Sequence, residues 1–160
     1  MSDAQPVEKA SIIVMSGDMD KVMGAFIIAN GAAAFDMQVS MFFTFWGLKA
    51  IQKGNLTGKG FMGRMLGLMN RGGIDRLGPS KFNFGGMGRW MFKKMMKKRK
   101  VTPLPEMLKQ AQELGVKLTA CEMSMNVMEI KKEDLIDGVQ IGGVASFIAD
   151  ASESKFTLFI

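Results

Sequence analysis

The sequence predicts an α/β domain of flavodoxin-like, doubly wound type: a mainly parallel five-stranded sheet carrying a basic Gly/Met-rich insertion. Three observations predict it. Short β-branched and aromatic runs alternate with amphipathic stripes of helical period. The first such run, stripe and run form a βαβ unit, whose crossover favours parallel pairing. One block, from Lys53 to Lys100, breaks the alternation and holds eleven of the chain's 19 Gly.

Each element has a local reason. Ser11–Ser16 (SIIVMS) reads as a buried strand. Asp18 is placed to cap a helix in which Met19, Val22, Met23, Phe26 and Ile27 fall on one stripe. Asp36–Phe45 (DMQVSMFFTF) reads as a second strand. After the insertion, Thr102 can cap a helix with Pro103 in its first turn, and Gly115 ends it at C′. Val116–Ala120 is the next strand, and Cys121 stands at its carboxyl end. Glu122–Met128 and Lys132–Ile136 suit short helical turns, Val139–Ile141 a short strand, Val144–Ala151 a helix and Phe156–Ile160 a last strand. The expected organisation is one domain over residues 1–160, with an insertion at about 53–100.

Composition narrows the chemistry. The chain has one Cys, no His and no Tyr. That excludes an internal disulfide, a CxxC pair, Ser-His-Asp and Cys-His catalysis, a Tyr acid, and a His-ligated or Cys-rich metal site. No metal or cofactor is expected. The first ten residues lack an apolar run, and no uncharged stretch reaches the length of a spanning helix, so a cytoplasmic location is expected. The net charge of +6 is unevenly spread. Residues 53–100 hold 13 of the 21 Lys and Arg and a single acid, Asp75, so that block is +12 and the remainder −6.

In doubly wound sheets ligands bind beyond the carboxyl ends of the strands. That edge selects Cys121 as the candidate catalytic residue. The candidate pocket residues are Ser16, Gly17, Asp18, Trp46, Glu122, Met123, Gly142 and Gly143. A helix beginning after Cys121 would favour its thiolate, whereas a carboxylate of Glu122 facing the sulfur would oppose it. Each residue has a plainer reading: a free Cys also serves as a small apolar filler, Gly142-Gly143 as a tight turn, and Ser16-Gly17-Asp18 as a helix cap. No GxGxxG or Walker motif is present.

Within the insertion, Phe61, Met62, Met65, Leu66 and Met69 share one helical face. Trp90, Met91, Phe92, Met95 and Met96 form another, followed by Lys97-Lys98-Arg99-Lys100. Such faces suit packing within an oligomer, docking of an acidic partner, or an anionic membrane surface. Membrane association therefore stands beside the cytoplasmic expectation. Nucleic acid is not expected, since no recognition motif accompanies the charge.

The segments SIIVMSGDMDKVMGAFIIANGAAAFDMQVSMFFTFWGLKAI (11–51) and GVKLTACEMSMNVMEIKKEDLIDGVQIGGVASFIADA (115–151) flank the basic insertion. Together, and above all in FTFWG, CEMSM and VQIGGVASF, the chain resembles the DsrE/DsrF-like family, in its DsrE2-type branch often labelled peroxiredoxin-like. The resemblance implies a flavodoxin-like fold, homo-oligomerisation and sulfur relay. In that relay a strand-end cysteine carries sulfane sulfur as a persulfide, with TusA-like and rhodanese-like proteins as partners. Only Cys121 matches that role. Thr119-Ala120-Cys121 is one residue short of a T-x-x-C peroxidatic motif. Two other functions stay open: a non-enzymatic binding or scaffold protein holding a small anion, nucleotide or flavin, and a one-cysteine thiol peroxidase.

Overall fold

A computed structural model describes residues 7–160. Its sheet comprises β1 (Lys9–Val14), β2 (Gln38–Phe43), β3 (Lys117–Cys121), β4 (Gln140–Gly142) and β5 (Phe156–Phe159), in the order β4-β3-β2-β1-β5. All four pairings are parallel. The doubly wound parallel sheet expected from the alternation is therefore present. Its helices are α1 (Met19–Ala34), α2 (Phe61–Met69), α3 (Met87–Lys98), α4 (Leu104–Glu113), α5 (Glu122–Val127) and α6 (Val144–Ser152).

The two faces of the sheet are covered unequally. On one, Ala10, Ile12 and Val14 of β1 and Met41 and Phe43 of β2 point at α1 and α4, burying Val22, Phe26, Ala29, Leu108 and Ala111. Period two in the strands and period 3.6 in the helices bring these residues together. On the other face α6 is the covering helix, and Phe42, Cys121 and Phe147 form a small buried cluster there. Toward the amino ends of the strands this second face turns polar. Ser11 Oγ lies 2.7 Å from Ser154 Oγ and 3.0 Å from Ser40 Oγ, and Lys117 pairs with Asp150 at 2.9 Å.

Element ends differ from the sequence expectation in instructive ways. The second strand is shorter than Asp36–Phe45 at both ends: Asp36 (φ 58°) belongs to the turn after α1, and Phe45 (φ 43°) opens a 3-10 helix, Phe45–Ile51. That helix is fully compatible with the FTFWG run but carries no periodic signal long enough to announce itself. Pro103, not Thr102, stands at the N-cap of α4, and Pro105 occupies its first turn. Gly115 does close α4, at φ 76°, with Val116 N–H donating to Ala111 O at 2.9 Å. Asp18 holds the N-cap position of α1, but its carboxylate accepts from Ser16 Oγ (3.1 Å) and pairs with Lys21 (3.2 Å) rather than capping the helix.

The stretch from Lys53 to Lys100 is anchored at several points. Lys53 N–H donates to Asp134 O at 2.8 Å, and Gln52 forms a lone antiparallel bridge with Leu135. Glu129 accepts the N–H groups of Lys59 (2.5 Å) and Gly60 (3.3 Å), which hold its carboxyl below the usual range. Leu77 enters the core, and Ser80 donates through both N–H (2.7 Å) and Oγ (2.8 Å) to Asp20 of α1. Between these anchors α2 and α3 stand out, with most of their apolar side chains exposed.

Replacing Phe26, fully buried between α1 and β2, with Ala is expected to cost about 3–5 kcal/mol. Phe84→Ala, at a side chain that is 70% exposed, is expected to change stability by no more than about 0.5 kcal/mol. Chemical unfolding of both variants measures the contrast.

Candidate functional site

Parallel pairing brings the carboxyl ends of all five strands to one edge, but the candidate residues divide between two places on it. β1 to β4 run outward in one direction and β5 returns to the far side of β1, so the strand order reverses between β1 and β5. A crevice is expected at such a reversal. A cavity of about 810 Å³ lies there, lined by Ser16, Gly17, Asp18, Trp46 and Lys49 together with apolar side chains of α2 and the last residues of the chain. Four of the candidate pocket residues thus share this cavity. Burial pushes the Lys49 ammonium below its usual range, and the Asp18 carboxylate opposes that shift. Lys49 Nζ sits 5.9 Å from the centre of the Trp46 ring.

Cys121, Glu122, Met123, Gly142 and Gly143 lie elsewhere, at the ends of β3 and β4. Cys121 closes β3 and is the N-cap of α5. It is 5% exposed. Its neighbours on the sheet face are Phe42 and, from α6, Phe147, whose rings stand 5.5 Å apart at 41°. Gly142 pairs with Cys121 in register. A Cβ at Gly142 would come within 2.6 Å of Ser146 Oγ and 3.0 Å of Thr119 Cγ2, so glycine lets α6 start close beside the thiol. Glu122 and Met123 point outward and are exposed; they do not line the cavity that holds Ser16 and Trp46.

The sulfur's surroundings decide its ionisation. Burial acts against the thiolate. The Ser124 hydroxyl and N–H, the Thr44 hydroxyl and the Met123 N–H all favour it, and together they win, so the thiol is held below its ordinary range. The Cys121 side chain makes no capping hydrogen bond to α5. Thr44 Oγ1 and Ser124 Oγ lie 2.8 Å apart in a buried pair, so two hydroxyls sit side by side with a choice of acceptor. The Glu122 carboxylate is not among the groups that shift the thiol.

Ser124, Lys49 and Phe147 were not among the candidate residues, whereas Thr44, with Phe45 and Trp46, follows the second strand on the carboxyl edge that the sequence selects. Ser124 had a local signal, since it stands three residues after the cap position, the spacing that returns a side chain to the first turn. Thr44 lies at the end of β2, where the carboxyl-edge rule applies. Lys49 and Phe147 had none. Among the described residues no group of three or more Cys, Asp or Glu is placed to hold a metal ion, and no helix is long and apolar enough to cross a membrane.

The chain matches the model of the DsrE/DsrF/DrsH-like family over residues 6–159. It is 46% identical to the uncharacterized protein YrkE of Bacillus subtilis, over 98% of this chain and 99% of that protein. It is 34% identical to the sulfur carrier protein DsrE2 of Allochromatium vinosum, over 96% of this chain and 98% of that one. Among solved structures it resembles the YchN protein of E. coli (TM-score 0.57, 13% identity, 96% of this chain and all of that one). It also resembles MTH1491 of Methanobacterium thermoautotrophicum (TM-score 0.53, 10% identity, 96% and 99%). These last two likenesses extend to the fold. The family match across nearly the whole chain and the full-length relatives lead to one statement of membership: the chain belongs to the DsrE/DsrF/DrsH-like family.

Proposed function

We propose that the protein is a sulfur carrier in which Cys121 receives sulfane sulfur as a persulfide and passes it to an acceptor thiol. The observation that carries this reading is the set of donors around the Cys121 sulfur, which favours an anion in a largely buried site. A 34% identical relative with the name of a sulfur carrier supports it. The chemistry needs no metal, base or second cysteine. The Cys121 thiolate attacks the outer sulfur of a donor persulfide, R–S–SH. A new Sγ–S bond forms, the donor S–S bond breaks, and R–S⁻ leaves with the electron pair. In the second half an acceptor thiolate attacks the outer sulfur of Cys121–S–SH, and the Cys121 thiolate is the leaving group. No net oxidant or reductant is consumed.

The same donors serve both halves. They stabilise the attacking thiolate first and the departing thiolate last. The partners in this reading are thiol carriers of TusA-like or rhodanese-like type, working on a homo-oligomer. Phe42 and Phe147 shield the sulfur, so transfer requires an opening at α6 or a partner that displaces Phe147. The cavity beside Trp46 and Lys49 does not include Cys121, so the transfer step rests on the end of β3 alone.

Incubation with a sulfane-sulfur donor is expected to add the mass of one sulfur atom to the intact chain, and Cys121→Ser is expected to abolish the gain. A wild-type chain that gains no sulfur from several chemically distinct donors refutes the assignment. Intact mass measurement decides it.

The thiol is expected to ionise below the ordinary cysteine value of about 8.5. Rates of alkylation by a small reagent, measured against pH, give the midpoint. Ser124→Ala and Thr44→Val each remove a donor to the thiolate and are expected to move that midpoint upward. Because the folded thiol ionises at lower pH than the unfolded one, its contribution to stability is present above the unfolded value. It fades as pH falls through the folded one. Phe147→Ala is expected to speed labelling of Cys121 by a bulky disulfide reagent about tenfold or more, the effect of opening a locally closed site by over 1.4 kcal/mol.

A further inference from the structure

A second cavity, of about 310 Å³, adjoins the one beside Trp46 and shares Gly17, Asp18, Lys49, Met69 and Asn70 with it. Both volumes fall in the range of small-molecule sites, roughly 300–1,000 Å³. Their chemistry differs. The larger is walled chiefly by apolar side chains, Met15, Met65, Leu66 and Phe159 among them, together with Trp46. The smaller is lined by Lys49, Arg71, Arg76 and Arg89, with Asp18 as its one carboxylate. That carboxylate is already engaged by Ser16 Oγ at 3.1 Å and by Lys21 at 3.2 Å. Among the described residues none of the four cations is paired with an acid. Arg71 and Arg89 each donate one N–H to a main-chain carbonyl, of Gly54 and Arg76, at 2.8 and 2.7 Å. Those bonds hold the guanidinium groups and leave the rest of each fork for another acceptor. Asn70 Nδ2, in the wall common to both cavities, is buried with no hydrogen-bond partner among the described residues. Buried amide donors are rarely left so in a folded protein.

Separate stretches of chain build this place: the turn after β1, the 3-10 helix after β2, the end of α2 and the entry to α3. Glycine permits the approach of the first two. A Cβ at Gly17 would stand 2.6 Å from Trp46 O and 3.0 Å from Lys49 Cδ. We propose that the joined cavities bind a phosphorylated small molecule of nucleotide type, its phosphate groups at the arginine end and its planar ring against Trp46. Four cations around so small a space call for several negative charges on neighbouring atoms, and guanidinium forks match phosphate oxygens two at a time. An acidic polypeptide brings one charge per carboxylate, strung along its backbone, and a bilayer meets a protein at convex surfaces rather than inside a recess. The apolar wall next door gives the rest of the ligand its place, since an indole stacks on any planar ring. The strand order reverses between β1 and β5, where doubly wound sheets hold such ligands. Side chains, not a Gly-rich loop, supply the donors. Cys121 lines neither cavity, so the proposal goes beyond the sulfur-carrier reading and stands without it.

Titration of the full chain with ADP and with FMN tests it. Calorimetry gives the affinity, and a Trp90→Phe background leaves Trp46 as the one fluorescent indole. At least one of the two probes is expected to bind and to perturb Trp46. Adenosine and riboflavin, which keep the rings and lack phosphate, are expected to bind at least about tenfold more weakly, as is inorganic pyrophosphate, which lacks a ring. Added salt is expected to weaken binding. Arg76→Gln and Lys49→Gln are each expected to weaken it about tenfold. Trp46→Ala is expected to weaken it about fivefold or more while leaving pyrophosphate affinity unchanged. Arg76 is exposed, so its variant is expected to melt like wild type. If a variant does not fold, the ligand series on the wild type decides. Binding of neither probe overturns the proposal, as does equal binding of probe and unphosphorylated ring, or of probe and pyrophosphate. So does an equal response of Trp46 to polyglutamate or to phosphatidylglycerol vesicles. Cys121→Ser is expected to bind the probe as wild type does, which keeps a failure here separate from a failure of the carrier reading.

Discussion

Parallel hydrogen bonding between β1 and its two neighbours is the constraint from which the rest follows. β1 pairs with β2 over six residues and with β5 over four, all in one direction. Every strand must then end on the same edge, and every return must cross a face of the sheet. The loops that follow β1, β2, β3 and β4 are therefore neighbours, though they are far apart in the chain. Thr44 and Ser124, 80 positions apart, meet at 2.8 Å for this reason. The thiol's environment is a product of strand direction before it is a product of any local motif.

The unequal covering of the sheet gives its two faces different tasks. The side under α1 and α4 supplies most of the buried apolar contact, and stability resides chiefly there. The side under α6 is thinner and mixed, with Ser11, Ser40 and Lys117 near one end of the strands and Phe42, Cys121 and Phe147 toward the other. A reactive sulfur on the heavily packed side would need core disruption to be reached. On the α6 side the sulfur's buried apolar partners are only Phe42 and Phe147.

The alternation of runs and stripes carried the architecture because buried parallel strands and amphipathic helices impose strong periods. Element ends were less legible: Thr102 gave way to Pro103 at the N-cap of α4, and Phe45 left the strand for a 3-10 turn, where competing local preferences differ little. The carboxyl-edge rule placed Cys121 and the Ser16–Asp18 turn on one edge, yet it could not divide them. That division depends on strand order, with β5 beside β1 and β4 beside β3, and strand order leaves no periodic trace in the chain. The shielding by Phe147 was hidden for the same reason. It arises from a pairing of Gly142 with Cys121 that no local pattern announces.

The segment between Lys53 and Lys100 occupies a crossover rather than a strand, and this has an entropic consequence. Closing a loop costs free energy that grows only with the logarithm of its length, about 0.6 kcal/mol for each doubling. Lengthening this connection therefore leaves the register of β2 on β3 untouched and taxes the fold lightly. Its fixed points include Gln52 with Leu135, Lys53 with Asp134, Glu129 with Lys59 and Gly60, Ser80 with Asp20, and Leu77 in the core. Between those points most apolar side chains of α2 and α3 are exposed, so a change of charge or apolarity there is expected to disturb the sheet little. The site at the end of β3 and the face that the protein turns to its surroundings can thus be selected almost independently.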